Sequence, residues 1–270
     1  MWEKAKFTAD FILNIINEKP EYAVILGSGL GGFVDDIDIE YTLPYTEIPD
    51  FPVSTVEGHQ GALIFGKVAG KNVVAMQGRF HYYEGYSMQE VTFPVRVMKL
   101  LGVQKLIVSN ASGGVNSDYK VGSIVIIKDH INMMPEHPLR GRNERKFGPR
   151  FVNMSEPYSR KMIAAAKELA TQLGIEVHDG VYLGLQGPTF ETLAEYKMVK
   201  ALGGDCVGMS TVPEVIVARH MEMETFGISV ITDMGNEESI DTISHDEVLE
   251  AARIAGPKVC RLIKTLIGNY

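Results

Sequence analysis

The chain has 270 residues, 45% of them hydrophobic and 22% charged, with a formal net charge of −8. That length can bury a sizeable core, and the balance excludes a disordered, collagen-like or disulfide-framework chain. The acidic excess argues against nucleic acid as a main partner, because phosphate backbones bind a basic face.

Cys206 and Cys260 sit in apolar contexts outside any C-x-x-C pair, which fits a reducing cytosol. No apolar run approaches the roughly 18 residues of a membrane span. The N-terminus lacks the basic-then-apolar shape of a signal peptide. With no repeat and no Pro/Gly/Ser-rich linker, one continuous domain over 1–270 in the cytoplasm is expected.

Apolar residues Phe7, Phe11, Ile12, Ile15 and Ile16 predict a helix over about 3–18 that stops before Pro20. Tyr22–Leu26 reads as a buried strand ending in glycines at 27–32. Strands follow at about 62–68 and 72–77. A helix carrying Val91, Val95, Met98 and Leu101 comes next, kinked by Pro94. Lys105–Val108 and Ser123–Lys128 are short buried strands. Residues 134–153 read as a long ordered loop, and 157–173 as a helix capped by Gly174. Helices near 191–202 and 213–222 alternate with strands near 205–209 and 226–232. A last helix spans about 245–267. This alternation argues for an α/β domain, in which ligands gather where strands end.

The motifs do sit at strand ends. Gly27-Ser28-Gly29-Leu30-Gly31-Gly32 formally matches G-x-G-x-x-G, but that fingerprint needs a helix directly after it. Residues 33–41 show no helical stripe, so a tight anion-binding turn or a plain glycine turn fits better. Gly61–Val68 nearly spells a P-loop but ends on Val68, without the hydroxyl that meets magnesium. Arg79 and His81 alternate in an extended segment and point the same way, which suits an oxyanion or an exposed ion pair. Ser109–Gly114 is built of small residues that let a ligand approach the backbone.

Glu191 lies at a helix start, where a carboxylate complements the dipole. Ser210 reads as an N-cap, an anion contact, or both. G-x-S-x-G and H-E-x-x-H are absent, and the seven histidines show no metal-ligand spacing.

These segments occur in one order with Val56-Glu57-Gly58-His59, Pro138–Gly141, Phe147–Phe151, Gly187–Thr192 and Val207–Glu214. Together, over about 20–265, they resemble the trimeric purine nucleoside phosphorylases. The resemblance implies a single α/β domain with a mixed twisted β-sheet flanked by helices, acting as a homotrimer. It implies phosphorolysis of a purine nucleoside to free base and ribose 1-phosphate. Phosphate is a co-substrate, and neither metal nor organic cofactor is needed.

By the same resemblance, phosphate lies among Ser28, His59, Arg79, His81, the Ala111 backbone N–H and Ser210. The nucleoside lies against Tyr83, Phe190, Val207 and Met209, with His245 at the 5′-hydroxyl and Phe151 supplied by a neighbouring subunit. Glu191 accepts from N1–H of a 6-oxopurine. His81, Glu191 and Asp233 are the catalytic candidates.

One position departs from the family. Members preferring 6-oxopurines read Ile-Thr-Asn where this chain reads Ile231-Thr232-Asp233. An amide donates to O6; an ionised carboxylate only accepts, and so suits the N6 amine of adenine. A protonated Asp233 could instead donate to N7. Glu191 pulls toward 6-oxopurines, so inosine and guanosine are expected ahead of adenosine. The nearest alternative is a phosphorylase preferring adenosine or methylthioadenosine. An NAD-dependent oxidoreductase and a non-catalytic nucleoside-binding protein are the alternatives of other classes. Asn236 offers a substitute amide, and the acidic 235–246 stretch reads as a solvated loop or a lid. Arg140, Arg142, Arg145 and Lys146 read as a solvated loop or subunit contact.

Overall fold

The computed structural model describes residues 1–53, 55, 60–235 and 245–270. Nine strands among them form one mixed sheet. β1 (Tyr22–Ile25) is its centre, parallel to β4 (Lys71–Gln77) on one side and to β5 (Lys105–Gly114) on the other. A strand buried on both faces needs apolar residues throughout, and Tyr22-Ala23-Val24-Ile25 supplies them. β2 (Asp38–Pro44) and β3 (Ala62–Val68) extend the sheet beyond β4 in antiparallel pairs. On the other side, β5 pairs with β9 (Glu224–Met234). β9 leads to β6 (Ile124–Asn132), β7 (His178–Gly184) and β8 (Cys206–Gly208), and β8 returns to the far end of β5.

This closure positions the site. One edge of β5 pairs with β1 up to Val108 and with β8 only from Gly113. Between those points β1 and β8 diverge, and a cavity opens beside Ser109–Ser112. Divergence of neighbouring strands is where α/β sheets hold ligands.

Helices cover both faces. α1 (Trp2–Leu13), α3 (Phe93–Leu101) and α6 (Val212–His220) bury Ala9, Ile12, Val97, Met98 and Val215 with Ala23 and Ile25 of β1. α4 (Arg160–Leu173) and α7 (His245–Asn269) bury Met162, Ala166, Val259, Leu262 and Leu266 with Tyr22 and Val24. Alternate residues of one strand thus face opposite cores. Each large aliphatic side chain so buried contributes about 1.5–3 kcal/mol.

Several sequence expectations need correction. The first helix ends at Leu13, with Asn14 as C-cap; asparagine is a poor helix former. Pro94 does not kink one helix but opens a second. α2 (Met88–Val91) ends at Thr92, whose Oγ1 donates to the Met88 carbonyl at 2.7 Å. Pro94 then occupies the first turn of α3, where no N–H is required. Lys105–Val108 is only the first part of β5. α5 (Leu193–Ala201) starts later than expected, capped by Thr192. β2 and β7 were not foreseen. β2 is an exposed edge strand whose alternation is broken by a bulge between Ile39 and Tyr41.

Candidate active site

The cavity at the β1/β8 divergence encloses about 500 Å³. Its polar end is lined by Ser28, Arg79, His81, Ala111 and Ser210, which the sequence reading had grouped. His59 lies outside the described residues, as do Val56–Gly58 and 236–244.

Arg79 follows β4 and is 1% exposed. Its Nη2 donates to the Ser109 carbonyl at 2.6 Å and to the Ile25 carbonyl at 3.4 Å. Nη1 donates to Ser210 Oγ at 2.6 Å and to Thr211 Oγ1 at 3.3 Å. Nε lies 3.7 Å from the buried Glu214 carboxylate. The guanidinium is therefore fixed before any ligand arrives, and its rotamer entropy is already spent.

Ser210 is not the N-cap of α6. The cap is Thr211, held at φ 68° with no side-chain capping bond. A β-branched residue at positive φ is strained, and such strain gathers at functional sites. Thr211 Oγ1 instead accepts from Asn110 Nδ2 at 2.8 Å, and Asn110 Oδ1 accepts from Ser229 Oγ at 2.6 Å. This network ties α6 to β5 and β9 and leaves Ser210 on the cavity wall.

His81 is buried beside Glu84. Its backbone N–H donates to Glu84 Oε1 at 2.7 Å, and its ring Nδ1 lies 3.1 Å from the same oxygen. Burial alone pushes Glu84 up, but hydrogen bonds from His81 and Thr55 outweigh it and hold the carboxyl at about 2. Burial lowers His81, against the pull of Glu84. An ionised Glu84 accepts only, so the neutral imidazole keeps its proton on Nδ1 and its lone pair on Nε2. Glu84 was not singled out from sequence, although the His-x-x-Glu spacing of a reciprocal turn was readable.

The other end is shaped for a flat ligand. Tyr83, Pro188, Phe190, Val207 and Met209 line it, with Glu191 and Asp233 at its head. Tyr83 stacks on the His81 ring at 4.7 Å. Gly187 sits at φ 63°, where an added Cβ would lie 2.3 Å from Met209 Sδ. Only glycine lets that sulfur approach.

Glu191 and Asp233 are 8% and 9% exposed. Glu191 lies one residue before Thr192, the N-cap of α5, and its side chain lines the cavity. Burial raises Glu191 to about 7, and the charges of Asp233 and Glu195 push the same way. Burial also raises Asp233, opposed by hydrogen bonds from Tyr196 and Thr232. A bulge in the β5–β9 pairing, between Ser112 and Gly113, inserts Thr232 as an extra residue. Bulges re-aim side chains, and here Thr232 and Asp233 both reach the cavity.

Phe151 is 89% exposed and lies away from this cavity, in a surface depression with His137, Arg140 and Ile216. His245 begins α7, but its side chain lies outside the described residues. Arg140, Arg142, Arg145 and Lys146 are all exposed. The glycine turn at 27–32 leads into a six-residue 3-10 stretch, Gly31–Asp36, and then β2, not the α-helix that a dinucleotide fingerprint requires.

Residues 21–268 match the model of the phosphorylase superfamily. The chain belongs to this family. It is 50% identical to purine nucleoside phosphorylase 1 of Geobacillus stearothermophilus over 261 residues, covering 97% of this chain and 95% of that protein. It is 48% identical to the purine nucleoside phosphorylase of Bos taurus, covering 99% and 95%. Among solved structures, the Schistosoma mansoni purine nucleoside phosphorylase in complex with inosine aligns with a TM-score of 0.94. That pair is 42% identical, over 99% of this chain and 96% of that one. The same protein in complex with adenosine aligns equally well, over 99% and 97%. The expected α/β fold with a mixed sheet is therefore the observed one. No helix among the described residues is long and apolar enough to cross a membrane.

Proposed function

We propose that the chain cleaves purine nucleosides with inorganic phosphate, releasing the free base and ribose or deoxyribose 1-phosphate, with inosine and guanosine as main substrates. The observation that carries this reading is the pairing, in one cavity, of a preset anion cradle with two buried carboxyls. Near-full-length similarity to proteins named purine nucleoside phosphorylases supports it.

Phosphate is held by Arg79, Ser28, Ser210, His59 and the Ala111 backbone N–H. Neutral His81 accepts a phosphate proton at Nε2, and the imidazolium is then balanced by Glu84. The phosphate oxygen faces C1′ of a sugar lying over Tyr83 and Met209. As the C1′–N9 bond breaks, its electron pair enters the purine and the sugar takes on oxocarbenium character. The nearby anion stabilises that cation, and the new C1′–O bond completes the exchange.

The proton that phosphate gives up on esterification balances the one the purine gains. Burial raises Asp233, and with a proton it donates toward N7 or O6, where donors lower the barrier. Glu191, when ionised, accepts from N1–H. Phe190 and Val207 pack on the base, and His245 serves the 5′-hydroxyl. Phe151, exposed in one copy, closes the sugar site of a neighbour in a homotrimer. Phosphate is the sole co-substrate, with no metal or organic cofactor, in a cytoplasmic salvage role.

The test is base release from inosine, guanosine, adenosine and methylthioadenosine, each with and without phosphate. Phosphate-dependent release, fastest from inosine and guanosine, is expected. Release only from methylthioadenosine would overturn the substrate assignment, and no release would overturn the reaction.

A further inference from the structure

Behind the phosphate end of the cavity, buried hydroxyls and one amide form a continuous chain. Asn110 on β5 is 2% exposed, and Thr211 and Ser229 are fully buried. Ser112 Oγ and Ser229 Oγ lie 2.6 Å apart. Ser229 Oγ donates to Asn110 Oδ1 at 2.6 Å, and Asn110 Nδ2 donates to Thr211 Oγ1 at 2.8 Å. Thr211 Oγ1 lies 3.1 Å from Ser210 Oγ, and Ser210 lines the cavity. The two amide distances fit the way Asn110 points, since 2.6 Å is an O–H···O length and 2.8 Å suits N–H···O. The backbone keeps the amide in place. A Cβ at Gly27 would lie 2.7 Å from the Asn110 Cα, so a side chain there would push Asn110 away.

We infer that Asn110 is a positioning residue for phosphate: by donating to Thr211 it sets the direction of the hydroxyl chain, so that the Ser210 O–H donates into the cavity. This inference rests on the phosphorylase reading above. A hydroxyl has one hydrogen and two lone pairs. Both lone pairs of Thr211 Oγ1 are taken, by Asn110 Nδ2 and by Arg79 Nη1 at 3.3 Å. Its own hydrogen therefore goes to Ser210 Oγ. Ser210 Oγ also accepts from Arg79 Nη1 at 2.6 Å, so its lone pairs are filled as well. The hydrogen left on Ser210 faces the cavity, where an oxyanion is the partner that suits it.

The other end of the chain holds the amide carbonyl. Asn110 and Ser229 stand opposite each other in the β5–β9 pairing. Ser229 gives its single hydrogen to Asn110 Oδ1, so Ser112 is the donor between the two serines. With both ends of the amide engaged, its donor side stays on Thr211. Phosphate oxygens without a proton only accept, and a Ser210 hydroxyl turned the other way would present a lone pair to them. A donor aimed before the anion arrives needs no reorganisation when it binds. Asn110 thus acts on phosphate through two hydroxyls.

The experiment is a double-mutant cycle with Asn110→Asp and Ser210→Ala, singly and together, read by isothermal titration of inorganic phosphate and by the KM of phosphate and of inosine. A carboxylate only accepts, so the Thr211 O–H turns to Asp and a lone pair of Ser210 is left toward the cavity. Asn110→Asp should weaken phosphate about tenfold or more, as for one lost hydrogen bond to a charged group, with the inosine KM within about threefold. On the Ser210→Ala background no hydroxyl remains to be directed, and the further loss should be smaller by at least about threefold. Asn110→Ala frees the same lone pair of Thr211 without adding charge. It should weaken phosphate less than Asn110→Asp does, and again non-additively with Ser210→Ala.

The same factor of loss on both backgrounds would show that Asn110 does not act through Ser210, and would overturn the inference. So would equal weakening of phosphate and inosine, which is what a purely structural amide predicts. An Asn110→Ala variant that binds phosphate as wild type does would overturn it too. If Asn110→Asp does not fold, Asn110→Ala takes its place in the cycle under the same criteria. A wild type that neither binds phosphate nor releases base from any nucleoside would instead bring down the phosphorylase reading, and this inference with it.

Discussion

Arg79→Ala should weaken phosphate binding on the order of 100-fold while leaving nucleoside binding within about threefold. The guanidinium is the one buried cation among the described residues lining the cavity. A hydrogen bond to a charged group contributes about 1.5–3 kcal/mol, and each 1.4 kcal/mol is about tenfold. The same substitution strands Glu214, whose carboxylate lies 3.7 Å from Nε. Breaking a buried pair by removing one partner costs about 3–5 kcal/mol of stability, so a lower Tm should accompany the loss. Arg79→Lys separates the two effects. It keeps a charge near Glu214 but loses the fork that bonds Ser109 and Ser210 at once. The phosphate KM should still rise at least about tenfold, with less loss of Tm. Equal weakening of phosphate and nucleoside, by isothermal titration, would contradict the phosphate assignment.

Asp233→Asn should shift the inosine-to-adenosine ratio of kcat/KM toward inosine by about 10- to 100-fold. An amide donates to O6 without needing a proton, whereas an ionised carboxylate there only accepts. One mismatched buried polar contact is about 1–3 kcal/mol. Tyr196 can still donate to the amide oxygen, and the shape of the pocket is kept. Burial raises Asp233, and the variant removes that titrating group, so the part of the alkaline loss of inosine activity that its deprotonation causes should disappear. An unchanged ratio would show that Asp233 does not read the 6-position of the base.

Much of this was readable from the chain, and the gaps have physical causes. Tyr22–Ile25 and the stripe on the last helix were legible because burial on one or two faces imposes an apolar pattern. β2 was not, because an exposed edge strand carries no such pattern. Ser109–Gly114 reads in the sequence as small residues following a strand, yet it forms the far part of β5. Small side chains there make room for Asp233, Tyr196 and a ligand, and conceal the strand.

In the site, Arg79 and His81 were readable from their alternation. Glu84 stayed hidden inside a local turn, and Tyr196 because its partner Asp233 lies 37 residues away on another element. Of the two roles that Ser210 offered, helix cap and anion contact, the cap falls to Thr211 in an unusual backbone conformation, because Ser and Thr share that preference. Phe151 could be placed only by resemblance, since in a single copy it faces outward.

The central claim is that phosphate, not water, receives the sugar. The most direct measurement is the product balance with inosine and phosphate, following hypoxanthine by absorbance and the sugar phosphate by phosphorus NMR. Ribose 1-phosphate formed one for one with hypoxanthine, and no base released when phosphate is left out, is the predicted result. Free ribose, or base release indifferent to phosphate, would contradict the account.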